Sequence, residues 1–321
     1  MNPTFREEFS PMPPLPLSPV RPELAIALSD HVATALPVGL PVLGGEAAET
    51  IFSTAALAEP AGEGLLYRAD GWLWGSATAE AEAGRNLDEV AQDLYRAILR
   101  TARGHHLCRL WNYVPGINRP TPGFADRYHA FCQGRSLAFE EAFGDAFKRR
   151  LPAASAVGTD SDRLSVVFAA CVQPPRHCEN PHQTPAYEYP PEYGPRTPSF
   201  ARATVVSGAK QSDVFIAGTS AILGHGTIAP GDTPAQLACT LDNLRTISQV
   251  CGLGAAFGAD RSGQRHIKVY LRHADDYPAV AATLETQLLR SGDHVSFLRA
   301  DVCRAELNVE IEITVRGALL D

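Results

Sequence analysis

The 321-residue chain predicts an α+β fold built from two similar halves, and three observations carry that prediction. The order strand, strand, helix, strand, helix, strand can be read twice along the chain. A stretch rich in proline and tyrosine, 187–202, separates the two readings. Each helical stretch has one apolar stripe, the pattern of helices laid on a single face of a mixed sheet. The halves span 65–173 and 201–321, joined by a strap over 174–200 and preceded by a segment 1–64.

Taken in order, residues 1–22 contain PMPPLPLSPVRP, whose prolines favour a polyproline II arm over a packed element. Residues 24–51 are rich in Ala, Leu and Val but punctuated by Gly and Pro, and their periodicity assigns no element. In LLYRADGWLWGSA (65–77) two short β-type runs flank Asp70-Gly71, a strong hairpin signal. Asn86 is placed to cap a helix in which Leu87, Val90, Ala91, Leu94, Ile98 and Leu99 recur at helical spacing until Gly104. Residues 107–113 read as a strand closed by Pro115-Gly116, 124–147 as a second helix, and 164–172 as an apolar strand.

Beyond the strap, 201–206 and 214–219 read as strands. Thr233-Pro234 opens a helix with Leu237, Leu241, Leu244, Ile247 and Val250 on one face, and Gly252 ends it. A strand at 266–271 precedes Asp275, a candidate cap for a helix whose face is Tyr277, Ala281, Leu284 and Leu288. The strand 309–315 closes the chain's second half.

A net charge of −8 argues against affinity for nucleic acid or an anionic membrane, so any small anion must be held by local arginines. Seven cysteines without a CxxC pair or zinc spacing read as reduced thiols of a cytoplasmic protein, with no metal expected. No apolar run of signal or membrane-spanning length occurs near either end.

Three features do not fit a bland structural reading. The second helix carries Tyr128, Phe131, Cys132, Arg135, Phe139 and Phe143 on its inward stripe, so Arg135 falls among apolar neighbours and needs an anion unless it snorkels to solvent. The strap offers Tyr187, Tyr189 and Tyr193 with Arg196 and Arg202, ordered by Pro190, Pro191, Pro195 and Pro198; its alternative is a solvated connector. In Val309-Glu310-Ile311-Glu312-Ile313, alternation puts Glu310 and Glu312 on one face, either solvated or lining a cleft where a carboxyl has its pKa raised.

Five blocks in order, RLWNYVPGIN (109–118), YHAFCQGRSLAF (128–139), YEYPPEYGPRTPSFARAT (187–204), VFIAGTSAILGH (214–225) and DVCRAELNVEIE (301–312), resemble the chorismatase family over roughly 65–317. The second half and its VEIE ending also look like the reactive-intermediate deaminase (Rid) superfamily. The resemblance implies two tandem Rid-like domains, a monomer in place of the Rid trimer, chorismate as the small-molecule substrate, pyruvate as one product, and no cofactor. Carried over by motif, Glu310 is the proton donor, while Tyr128, Arg135, Tyr189 and Arg202 hold substrate, with Arg196 in reserve against a structural salt bridge. Glu312, two residues on, is too far along the strand to reach the same methylene carbon, so Glu312→Gln is expected to remain substantially active.

Branches of the family that hydrolyse chorismate to a dihydroxycyclohexadiene carboxylate tend to have alanine where this chain has Gly218 and lack the cysteine matching Cys303. Gly218 with Cys303 resembles the branches forming 3-hydroxybenzoate, alone or with 4-hydroxybenzoate. A Rid-like imine deaminase and a non-catalytic binder of aromatic carboxylates are the other readings.

Overall fold

The computed structural model describes residues 23–27, 35–51, 57–61, 64–81 and 85–320; the proline-rich arm at 1–22 lies outside the described residues. Strands β1 (Glu23–Ala27), β2 (Ala35–Gly45) and β3 (Ala48–Thr50) come first, followed by β4 (Leu57–Ala61), β5 (Gly64–Ala69) and β6 (Trp72–Glu80). The β5–β6 turn has Asp70 at φ 50° and Gly71 at φ 78°, the double left-handed conformation for which Asp-Gly is suited. Then come α1 (Leu87–Thr101), β7 (His106–Pro115), α2 (Arg127–Phe143), β8 (Ala153–Thr159) and β9 (Arg163–Cys171).

The second half runs β10 (Arg176–Cys178), β11 (Ala203–Ser207), β12 (Ser212–Thr219), the small ribbon β13 (Ile222–Leu223) and β14 (Gly226–Thr227), and α3 (Thr233–Val250). It ends with β15 (Gln264–Leu271), α4 (Tyr277–Gln287), β16 (His294–Arg299) and β17 (Val309–Ala318). The two sheets repeat one topology: β5-β6-β9-β7-β8 in the first corresponds to β11-β12-β17-β15-β16 in the second. In each, the final pair is parallel and spans a helix.

Each five-stranded repeat therefore carries one strand beyond the four predicted, β8 and β16, and the second half adds the unpredicted ribbon β13–β14. Strand β8, AASAVGT, is buried along almost its whole length, so it shows no alternation of apolar and polar residues. The unassigned segment also holds strands: β2 pairs antiparallel with β16 and extends the second sheet through β1 to β3. At α4, a short 3-10 turn over Ala274–Asp276 precedes the helix, and the cap position is Asp276 instead of Asp275.

Helices cover only the outer face of each sheet. Leu94, Ile98, Phe131 and Phe139 pack on Leu110 and Phe168 of the first sheet. Leu241, Leu244 and Leu284 pack on Ile267 and Ile311 of the second. The inner faces meet each other through Trp74, Trp111, Val167, Phe215, Tyr270 and Leu298. Because β17 sends Val309, Ile311, Ile313 and Val315 toward its helices, period two sends Glu310 and Glu312 into the space between the sheets.

Glu312 is the centre of a buried ionic cluster there. Its carboxylate accepts from Arg109 Nη2 at 2.7 Å, Trp111 Nε1 at 2.8 Å and Ser155 Oγ at 2.5 Å, and lies 2.8 Å from Lys268 Nζ. Lys268 in turn reaches Glu49 of β3 at 2.5 Å. Burial alone would raise the Glu312 pKa, but Lys268 and Arg109 outweigh it and hold the group at about 2. Glu312 is thus a structural hub joining both sheets and the N-terminal strands, a role separate from proton donation, for which the sequence reading favours Glu310. Among the described residues, no helix is long and apolar enough to cross a membrane.

Removing one member of a buried pair leaves the other charge without compensation and costs about 3–5 kcal/mol. Glu312→Gln should therefore lower the unfolding free energy by about that amount in urea titrations, as should Lys268→Met. Arg245→Ala, which breaks the exposed pair with Asp242, should change it by about 0–1 kcal/mol.

Candidate active site

One end of the inter-sheet space opens into a cavity of about 250 Å³, walled by the N-terminal half of α2, β8, β12, β17, the loop after β16 and the strap. The strap opens with β10, which pairs with β11 at the edge of the second sheet; beyond it two short 3-10 turns, Ala186–Glu188 and Pro191–Tyr193, are separated by Tyr189 and Pro190 in extended conformation. Gly194, at φ 112°, lets it pass over His129, where a β-carbon would come within 2.6 Å of the imidazole.

Three arginines reach this cavity without a carboxylate partner among the described residues. Arg135 is 3% exposed, so it does not snorkel; its Nε and Nη2 are buried and donate to no acceptor among the described residues. Its guanidinium lies 5.4 Å from the Tyr95 ring centre and 5.9 Å from that of Phe139. Arg202 donates from Nη2 to Tyr189 Oη at 2.7 Å and to Thr184 O at 3.2 Å, leaving Nε buried and unpartnered. Arg304 sits 4.3 Å from the Tyr193 ring centre and donates to His225 O, while its Nη2 is buried and unpartnered. Stacked rings hold the cations in place but neutralise none of them. Buried unpaired guanidiniums are costly, so the cavity is complementary to an anion.

Glu310 faces these cations with its side chain 4% exposed and Oε1 unpartnered; Ser220 Oγ donates weakly to Oε2 at 3.4 Å. Burial, then the adjacent Glu312 charge, pushes its pKa up to about 8, with Ser220, Arg109 and Arg202 opposing. The carboxyl is therefore protonated at neutral pH and available as an acid. Gly218 makes room for it: a β-carbon there would lie 2.0 Å from Glu310 Oε1 and 3.0 Å from Ser155 Cβ. Cys303 lines the same cavity, and burial followed by the Glu310 charge pushes its thiol up to about 12, keeping it neutral. Burial also raises the Tyr128 hydroxyl well above its ordinary range.

Of the residues singled out in the sequence, Tyr128, Arg135, Tyr189, Arg202, Gly218, Cys303 and Glu310 line this one cavity. Arg196 does not: it lies outside the lining and bonds Glu140 at 2.7 Å, the structural salt bridge weighed against its site role. Arg304 and Ser155 were not marked by pattern. Arg304 belongs to an aperiodic loop, and its one signal was position, next to Cys303 in the DVCRAELNVEIE block.

A protonated carboxyl buried against aromatic walls and three unpaired guanidiniums defines a site that binds a multiply anionic, partly apolar molecule and can donate a proton to it. Comparison with known proteins narrows the class. Residues 49–170 match the family described as chorismatase FkbO/Hyg5-like, N-terminal. A 3-hydroxybenzoate synthase of Streptomyces hygroscopicus is 33% identical over 260 residues, 78% of this chain and 76% of that protein. A chorismatase of the same organism is 35% identical over 252 residues, 76% of this chain and 72% of the relative. A crystal structure of a chorismatase superposes with a TM-score of 0.73 at 31% identity, covering 80% of this chain and 78% of the other. The chain belongs to the chorismatase family.

The sign of the Glu310 shift makes a stability test. A carboxyl with a raised folded-state pKa contributes stability that is complete below its unfolded value, near 4.5, and is lost as pH rises through about 8. The melting temperature of Glu310→Gln relative to wild type should therefore climb between pH 5 and pH 9. A difference that stays flat across this range would show that Glu310 titrates normally.

Proposed function

We propose that this protein converts chorismate to 3-hydroxybenzoate and pyruvate. The observation that carries this is Glu310, held protonated in the same cavity as the unpaired Arg135 and Arg202. Chorismate has two carboxylates, one on the cyclohexadiene ring and one on the enolpyruvyl ether, and two guanidinium anchors fix both position and orientation. Tyr128 and Tyr189 supply flat walls for the ring.

Glu310 donates its proton to the enol-ether methylene carbon, which becomes a methyl group as the double-bond electrons form the new C–H bond. The ether carbon is now an oxocarbenium ion. The substrate's 4-hydroxyl oxygen attacks C3 and loses its proton, and the C3–O bond electrons pass to the departing oxygen, releasing pyruvate as its ketone. The resulting 3,4-arene oxide opens and aromatises to the phenol. No water enters, and the protons balance because the hydroxyl proton replaces the one Glu310 gave.

Gly218 and Cys303 support this product over the hydrolytic one. The space at Gly218 lets the Glu310 carboxyl lie against β12, and an alanine methyl there would displace it. The neutral Cys303 thiol fills the wall beside Glu310 with a weakly polar group that offers little to hold an attacking water. Incubation with chorismate followed by chromatography should yield 3-hydroxybenzoate and pyruvate in equal amounts. A dihydroxycyclohexadiene carboxylate as main product would assign the chain to the hydrolytic branch, and unchanged chorismate would refute the activity. Glu310→Gln should lower turnover by at least ~10²-fold with binding retained, and wild-type kcat/KM should fall above about pH 8 as the acid ionises.

Arg135→Met separates binding from folding. Exchanging an unpaired buried cation for an apolar side chain of similar length should raise the melting temperature of the ligand-free protein. It should also cost about 2–5 kcal/mol in kcat/KM through the lost anchor. A variant that stays folded and keeps wild-type kcat/KM would remove Arg135 from the substrate site.

A further inference from the structure

We propose that a second cleft, between the last turn of α1, the start of β7 and the C-terminal part of α2, is a binding site for a phosphate monoester carried on a flat apolar body. The cleft encloses about 600 Å³ and shares no lining residue with the cavity around Glu310. Its walls combine an apolar floor with uncompensated positive charge, in a chain whose net charge is −8.

The charge comes from separate elements. Arg100 lies in the last turn of α1, Arg103 just beyond it, and Arg150 at the end of the 3-10 turn that follows α2; none has a carboxylate partner among the described residues. Glu141 is the single carboxylate among the described residues lining the cleft, and Arg96 holds it through two bonds of 2.7 Å. A cation at a helix C-terminus complements the helix dipole, which accounts for Arg100. It does not account for Arg103 or Arg150.

Histidines on the inner wall register the same field. Arg150 Nη1 lies 3.3 Å from His106 Nδ1, so the guanidinium reaches across the cleft to the start of β7. Burial first, then His106 and Arg150, pull His177 down to about 4. His105 Nδ1 is buried and has no partner.

The head group follows from the charge balance. Three guanidiniums in one cleft match a phosphate dianion, whose three terminal oxygens accept several forked N–H donors, better than a carboxylate carrying one charge. The body follows from the floor. Leu107 and Ala138 line it, and Phe143 is 37% exposed, with Phe139 at 6.1 Å and the Arg150 guanidinium 5.7 Å from its ring centre, so apolar and aromatic surface lies beside the cations.

Calorimetric titration of the full chain at low salt with phenyl phosphate tests this, with inorganic phosphate as the head alone and benzoate as the carboxylate counterpart. Phenyl phosphate should bind saturably, with its tightest site at least ~10-fold stronger than either control. The Arg103→Ala/Arg150→Ala double variant, altered only at exposed side chains, should lose at least ~10-fold in affinity, whereas Arg135→Met should not. Absence of saturable binding, a control that binds as tightly as phenyl phosphate, or a loss caused by Arg135→Met and not by the double variant would each overturn the assignment. The last of these outcomes would place the ligand in the Glu310 cavity, so failure here is distinguishable from failure of the chorismate reading.

Discussion

The carboxylate of Glu312, buried between two sheets and met there by Arg109 and Lys268, is the interaction on which the rest of the structure depends. Two inner sheet faces could be joined by apolar residues alone, and much of this interface is. The ionic cluster adds direction. Arg109, Trp111 and Ser155 belong to the first half, Lys268 and Glu312 to the second, and Glu49 to the N-terminal strands, so their bonds set one register between three parts of the chain. Such a cluster is weak evidence for net stability, because desolvating the charges offsets much of their attraction. Its consequence here is chemical.

Two carboxyl groups of the same kind, two residues apart on one strand, have pKa values pushed in opposite directions, to about 8 and about 2. Glu312 has cations within hydrogen-bonding distance; Glu310 has Gly218, Ser220 and the cavity. Once Glu312 is ionised beside it, a second negative charge on Glu310 is further disfavoured, so the hub helps keep its neighbour protonated. The strand's alternation places both groups, and the partners that each meets across the sheets divide the roles.

The cavity departs from the rules that make proteins stable. Arg135, Arg202 and Arg304 keep buried N–H groups without acceptors, and Glu310 keeps a buried oxygen without a donor. A fold optimised for stability alone would replace these with apolar side chains. Their convergence in one small space, while other buried charges such as Arg265 with Asp293 are paired, marks that space as shaped for a ligand that completes it.

Much of this was legible in the sequence because it rests on local periodicity. Helical spacing located α1 to α4, Asp70-Gly71 located a hairpin, and alternation in 309–315 put Glu310 and Glu312 on the same face. A polar residue inside an apolar stripe exposed Arg135. Strand β8 escaped because a strand of small residues buried on both faces has no period, and β2 because its proline and glycine punctuation obscures one that only pairing with β16 makes sense of. What sequence alone determined, then, was which residue types share a face of each element, since that follows from backbone geometry within a few residues. Tertiary structure decided which face meets which: that Arg196 would find Glu140, that Arg304 would turn into the cavity, and that Glu312 would be ionised among cations while Glu310 is held protonated. Those outcomes depend on partners up to two hundred residues away, and electrostatics in a buried space is governed by such partners, not by neighbours along the chain.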